Sequence, residues 1–445
     1  MKVAGILVSL LMLTMVSWSQ DPFSGTDVIL VVQHHDGDAA VATPMTLAQA
    51  EAQALDSNPE IRLAARQLEI AQARAGSAGA LDDPAFMYRG WGVPLRQPWD
   101  LNQAQNMFMI TENLPGPGKR NLQSLQAKDE VEAAKAALEN KRLEVTAKIR
   151  KAYNDLLLNR DELRIHDQQV AIARQGVEAA RIKYSVGNVP QQDVLKAQIA
   201  LTRLADHLIM LRQDGGLAQA SLNTLMGRDP AVPLAVTGEY EAATELPSLA
   251  ELEQVAVAHH PQLSGAMALV AREQSGLSLA RKAFTPDYSV SAGYMLMPGV
   301  SPVRNTYMAE FSMSLPWLNR RRHDSEIQEA KGKLEASQAE YELEKAALFQ
   351  QIQEARVRAQ AARELLLLYG QTLRPEAQST LRSAVAAYEN NRTDFLNLLD
   401  SQNEMLEVEN SYVVAASEFE SRLVDLELAV GAPIARVGAS SREEK

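Results

Sequence analysis

Apolar positions beyond residue 119 recur with a period of seven. Ile149, Leu156, Leu163, Val170, Val177 and Tyr184 form one row. Val145, Ala152, Ala173 and Ala180 form a second, interrupted at Asn159 and His166. Alternating spacings of four and three are the pattern of a coiled-coil seam. No proline falls between Pro117 and Pro190, and the only glycines between them are Gly118, Gly176 and Gly187. The pattern therefore predicts one helix of about 65 residues, roughly 100 Å long at 1.5 Å per residue. It breaks at Tyr184-Ser185-Val186-Gly187-Asn188-Val189-Pro190. Val194, Leu201 and Leu208, with Ala197, Leu204 and Leu211, then resume the repeat. The expectation is a long helical hairpin over 119–226 with a tight tip near Gly187, stopped by Gly227 and Pro230.

The flanking pattern occurs twice. Thr46-Leu47-Ala48-Gln49 opens a short helix with a capping-box arrangement, and Asn58-Pro59 ends it. A second helix is expected from about Glu60 to Ala80, then strands at about 84–93 and 105–114. Ser248-Leu249-Ala250-Glu251 repeats the opening, and His260-Pro261 follows Asn58-Pro59 by 202 residues. Leu315-Pro316 follows Leu114-Pro115 by 201, and Tyr388, Gln402 and Gly431 follow Tyr184, Gln198 and Gly227 by 204. So steady an offset marks an internal duplication. The repeats are placed at 46–227 and 248–431, with a connector at 228–247. In the second, strands are expected at about 286–296 and 304–315 and a hairpin at 320–430, its first arm interrupted at Gly370 and Pro375. Leu398, Met405, Tyr412, Phe419 and Leu426 carry the heptad of the returning arm.

The strand pairs alternate with period two. Tyr288, Val290, Ala292 and Tyr294 alternate with Asp287, Ser289, Ser291 and Gly293. Tyr307, Ala309, Phe311 and Met313 alternate with Thr306, Met308, Glu310 and Ser312. Strands of this length cross a bilayer when tilted. Ten of the 23 aromatic residues fall in 84–114 and 286–317, which singles out those windows as membrane-facing. Four strands cannot close a barrel and open edges are not tolerated in lipid, so a barrel shared among several copies is expected. Met1-Lys2, an apolar run over residues 6–13 and Ser17-Trp18-Ser19 read as a signal peptide, 1–19. An extended leader over 20–45 and a disordered tail over 432–445 are also expected.

Composition narrows the function. A formal charge of -12 argues against a nucleic-acid partner. With no cysteine, disulfides, thiolate metal sites and a lipid-modified N-terminal cysteine are not expected. His34-His35 lies in the leader and reads as solvated rather than as a ligand pair. Arg320-Arg321-Arg322-His323 directly follows the second strand pair and reads as a solvated interface belt. No catalytic constellation and no phosphate-binding glycine loop is found, so neither an enzyme nor a cofactor is expected.

The tip motifs Tyr184-x-x-Gly187-x-x-x-x-x-Asp193-Val194-Leu195-x-x-Gln198 and Tyr388-x-x-Asn391-Arg392-x-x-x-x-Asn397-Leu398-Leu399-Asp400-x-Gln402 resemble those of the TolC family of outer-membrane efflux channels. The bends Leu114-Pro115-Gly116-Pro117-Gly118-Lys119-Arg120 and Leu315-Pro316-Trp317-Leu318-Asn319-Arg320 fit as well, the first looking most like the heavy-metal efflux branch. The resemblance covers roughly residues 46–431. It implies a mainly α protein whose coiled-coil hairpins form a periplasmic α-barrel. It also implies four strands per protomer in a homotrimeric, twelve-stranded transmembrane β-barrel in the Gram-negative outer membrane. Partners would be a periplasmic adaptor and an inner-membrane transporter of the RND type, and the cargo heavy-metal cations. A duct of the same build could serve drug efflux or type I protein secretion instead. A periplasmic adaptor is the remaining alternative, although it would carry one hairpin and lipoyl-like domains rather than two hairpins with strand pairs.

The resemblance also assigns a gate. Its pore-facing acidic positions match Asn397 and Asp400, so only the second is acidic, with Asp394 nearby as a compensating carboxylate. Asp193 and Tyr388 match positions that hold neighbouring hairpins shut, and the basic gate residue maps to Thr393 beside Arg392. A purely structural reading is that Tyr184, Tyr388 and Asp193 cap helices and pack the turns around Gly187 and its counterpart.

Overall fold

A computed structural model of the chain describes residues 44–434, except 94, 97, 100–103, 241–243, 298–304, 391 and 394. The expected signal peptide, nearly all of the leader and almost the whole tail lie outside the described residues.

Long rods dominate. Helix α3, Lys119–Ser185, runs 67 residues without a break, and α4, Gln191–Leu225, returns beside it. In the second half α7 (Arg320–Leu368), a π turn (Tyr369–Leu373) and α8 (Arg374–Glu389) form one rod, and α9 (Phe395–Val430) returns. At Gly370 and Pro375 the rod is loosened into the π turn rather than stopped. Pro375 falls in the first turn of α8, where a missing N–H costs little. Gly370 lets the Tyr412 ring close in, since a Cβ there would lie 3.1 Å from Tyr412 Cε2. The Arg374 guanidinium covers the same ring at 4.8 Å.

Short helix pairs precede each rod: α1 (Leu47–Ser57) with α2 (Pro59–Ser77), and α5 (Leu249–His259) with α6 (Pro261–Arg281). Thr46 and Ser248 both form capping boxes. Asn58 and His260 cap the helices that follow, each before a proline. The repeats interleave: α3 packs against α2 and α4 of its own repeat and against α6 and α9 of the other. One core joins Val145, Ile149 and Leu157 of α3 to Leu222 of α4 and Ala54 of α1. Another joins Leu348 and Ile352 of α7 to Leu252 of α5 and Leu426 of α9. Each fully buried aliphatic side chain contributes about 1.5–3 kcal/mol.

The two polar interruptions of the α3 seam are buried. An unpaired polar group there would cost about 1–3 kcal/mol; each side chain places one nitrogen on the backbone of α4, while His166 Nδ1 stays buried without a partner among the described residues. Asn159 Nδ2 donates to the Leu211 carbonyl at 2.6 Å, and His166 Nε2 lies 2.8 Å from that of Leu204. Nearer the middle of α3, Asn154 Nδ2 donates to the carbonyl and hydroxyl of Ser417 on α9, at 2.7 and 2.9 Å.

A two-residue parallel pairing, β1 (Pro44–Met45) with β4 (Ala235–Val236), ties the end of the leader to the connector. The Tyr153 hydroxyl sits against the carbonyls of Met45, at 2.9 Å, and of Thr237. Two residues carry no period, so no local pattern signals this contact.

The main sheet has the antiparallel order β2-β3-β5-β6: Ala85–Trp91, Gln105–Leu114, Tyr288–Leu296 and Asn305–Met313. The repeats meet at its centre, where Thr111 of β3 faces Ser291 of β5 with hydroxyl oxygens 2.9 Å apart. One face carries Phe86, Tyr88, Phe108, Ile110, Tyr307 and Phe311; Tyr307 is 90% exposed and Phe86 68%. The other carries Thr111, Ser291 and Glu310 on one cross-strand line. Strands β2 and β6 leave both edges unpaired. Among the described residues no helix is long and apolar enough to cross a membrane.

Candidate functional site

The two hairpin tips sit at the same end of the bundle. A Cβ added at Gly176, near the end of α3, would lie 3.2 Å from Leu399 Cδ1 at the start of α9. Leu398 and Leu399 are both buried, which anchors the second tip on the first hairpin.

At the first tip the chain leaves α3 through a Schellman turn. The Asn188 N–H donates to the Lys183 carbonyl and the Gly187 N–H to the Tyr184 carbonyl, both at 2.9 Å. Gly187 adopts φ 78°, with nothing within 4 Å of where a Cβ would stand. Backbone conformation, rather than space, requires glycine there. Pro190 precedes α4, and the Asp193 N–H donates to its carbonyl at 3.0 Å. Half-buried Asp193 lies in the first turn of α4, where the helix dipole favours a carboxylate. Tyr184 is well exposed.

The second tip repeats the outer of these two bonds 204 residues on. The Arg392 N–H donates to the Ala387 carbonyl at 2.8 Å, as Asn188 does to Lys183. Asn397 Nδ2 donates to Thr393 Oγ1 at 3.1 Å, which ties the loop to the first turn of α9. Arg392, Asn397, Asp400 and Tyr388 are exposed. Asp394 lies outside the described residues. The tips therefore present Asp400 and Asn397 to solvent on a helix whose neighbouring leucines point inward. A carboxylate in this setting can repel or attract ions. Among the described residues no group of three or more His, Cys, Asp or Glu could hold a metal ion.

At the far end of the rods a clamp joins the strand–helix bends. Asp287 Oδ1 accepts from the Gly116 N–H at 2.6 Å and from Lys119 Nζ at 2.7 Å. The Asp287 N–H donates to Ser314 Oγ at 2.8 Å. The bend at residues 114–120 is legible in the sequence but its partner is not, since no local pattern links Lys119 to Asp287. Arg320 and Arg322 are exposed and pair with Asp324 and Glu326 one helical turn on.

The model of the outer membrane efflux protein family matches residues 51–228 and again 252–432. The chain is 22% identical to the cobalt-zinc-cadmium resistance protein CzcC of Cupriavidus metallidurans, over 84% of this chain and 86% of that protein. Its fold matches the outer-membrane channel OprN with a TM-score of 0.72 at 19% identity, over 87% of this chain and 90% of that one. It matches CusC, solved in a study of folding and transmembrane channel formation, with a TM-score of 0.72 at 16% identity, over 87% and 92%. The doubled match follows the duplication seen in the rods, caps and strands, and it places this chain in the outer membrane efflux protein family.

Proposed function

We propose that the chain is a passive exit duct: a homotrimer in the outer membrane of a Gram-negative bacterium, its helical barrel reaching through the periplasm to an adaptor and an inner-membrane transporter. The observation that carries this is the main sheet. It exposes an aromatic face and two unpaired edges, and four strands from each of three copies would close both in one twelve-stranded barrel. Similarity to CzcC favours heavy-metal cations as cargo over drugs or secreted proteins.

In this duct the tips form the gate. Asp400, with Asn397 one turn earlier, gives a ring of three carboxylates at the narrow end, and Asp394 of the same tip motif, outside the described residues, is the compensating carboxylate of this reading. Such a ring selects for cations. Asp193, Tyr184, Tyr388 and Arg392 hold neighbouring hairpins together, and Gly187 shapes the first turn. The test is reconstitution in planar bilayers. Asp400→Ala should lower the preference for cations, and unchanged selectivity would remove Asp400 from the gate. Outer-membrane fractions should contain a heat-sensitive trimer; a monomer without conductance would end the duct reading.

A further inference from the structure

Six of the chain's 15 methionines lie in the four strands of the main sheet. Register puts five of them on one face. Met87 pairs with Met109, Met109 with Gly293 and Gly293 with Met308, in one line across all four strands. On the next line of the same face Met107 pairs with Met295. This is the sheltered side: Met107 and Met109 are 8% and 7% exposed, while the opposite face presents its aromatic rings outward.

Packing alone does not call for this residue. Strands favour β-branched and aromatic side chains, and the opposite face uses them. Gly293, between Met109 and Met308 on this line, adds no side chain of its own: a Cβ there would lie 2.9 Å from the Phe108 carbonyl oxygen, and Met109 Cβ and Cγ stand at an ordinary contact distance of 3.5 Å. Directly paired residues have Cβ atoms about 4.5–5.5 Å apart. Methionine has three rotatable side-chain bonds and a polarizable sulfur, so neighbouring thioethers can converge on one ion. The Met87 sulfur already takes a donor, Arg89 Nη2, at 3.6 Å. Thioethers suit soft cations, whereas carboxylate, carbonyl and water suit hard ones.

We propose that Met87, Met109, Met107, Met295 and Met308 form a transit site for soft monovalent cations, Cu(I) or Ag(I), on the inner wall of the sheet. Its service in export rests on the duct reading; the binding itself does not. Silver ion is the probe, free of redox change, applied in nitrate buffer to the purified full-length chain in detergent. Zinc ion is a parallel arm. Calorimetry should show Ag(I) uptake by the parent protein. The tightest class of Ag(I) sites should be lost in the variant carrying M87L, M107L, M109L and M295L, swaps that conserve volume. Met313→Leu, on the opposite face, should keep it, and Zn(II) behaviour should be the same in all three proteins. Where the fourfold variant does not fold, M87L with M109L is measured instead. Equal Ag(I) uptake by parent and variant, or none by the parent, overturns the site. Potassium chloride conductance separates the two readings. A conducting channel without Ag(I) uptake sinks only the methionine site, and a protein that does not conduct sinks the duct.

Discussion

The two repeats build the same parts with different residues, and the differences fall at the joints. Where strand meets rod, the first repeat has Gly116 and the second, 201 residues on, has Trp317. Gly116 is hemmed in by backbone: a Cβ there would lie 2.6 Å from the Pro286 carbonyl oxygen. Trp317 is exposed. Where helix meets helix, Asn58 caps α2 through Oδ1, accepting from the Glu60 N–H at 2.8 Å. His260 caps α6 through Nδ1, accepting from the Gln262 N–H at 3.2 Å. The rods differ too, since α3 is unbroken while the second rod carries a π turn. Duplication therefore fixed the architecture, and the first repeat's bend became the part on which the second repeat rests.

The largest effect should come at that bend. Gly116→Ala pushes a methyl group into a carbonyl that cannot swing away, and overpacking of this kind costs about 1–3 kcal/mol. Trp317→Ala, at the matching station, should stay within about 0.5 kcal/mol as a surface change. Thermal unfolding of the two purified variants measures the contrast, and equal losses would show that the stations are not different in kind.

The caps come next. Either cap replaced by alanine should cost about 1 kcal/mol. Only the second should respond to mild acid. Burial holds the His260 imidazole below its usual 6.5, although its bond to the Leu428 backbone opposes this. The unfolded chain then takes up the proton first as the pH falls. Stability from this joint is therefore full above pH 6.5 and lost as the pH drops through the lower folded value. His260→Asn, which copies the first repeat, should flatten that part of the stability–pH curve. A curve unchanged by the substitution would remove His260 from the acid response.

The smallest effect belongs to the clamp's charge. Asp287 stands just outside β5 and its side chain is half exposed. Burial pushes its carboxyl up, but the Lys119 ammonium and the Gly116 N–H outweigh that and hold it below the usual 3.8. Asp287→Asn should cost about 0.2–1 kcal/mol at neutral pH, as exposed pairs do. The carboxylate's contribution is intact above pH 3.8 and fades as the pH falls below it, so the gap between parent and variant should close in strong acid. Melting at pH 7 and at pH 3 reads both.

The rods, caps and strand pairs were legible because each has a period or a punctuation mark of its own. The heptad row through Ile149 and Leu156 becomes buried core, and the alternation at Tyr288–Tyr294 becomes a two-faced strand. Asn159 and His166 read as flaws in the seam, because only the partner helix shows which carbonyls they serve. The packing of α3 on α6 and α9 could not be read at all, since it joins segments from different repeats without a local signal. At the tips the turn at Gly187 was visible from its sequence. The burial of Leu399 against Gly176 was not, because a leucine beside an aspartate looks the same whether or not a neighbouring hairpin covers it.

The bare rims of the sheet have a further bearing on how the molecule is made. A subunit released singly carries two rows of unanswered amide and carbonyl groups, one along Ala85–Trp91 and one along Asn305–Met313. Such rims adhere to any strand they meet. For the proposed trimer, maturation would then be a race between finding sister subunits and clumping, decided by local concentration rather than by the thermodynamics of the rods.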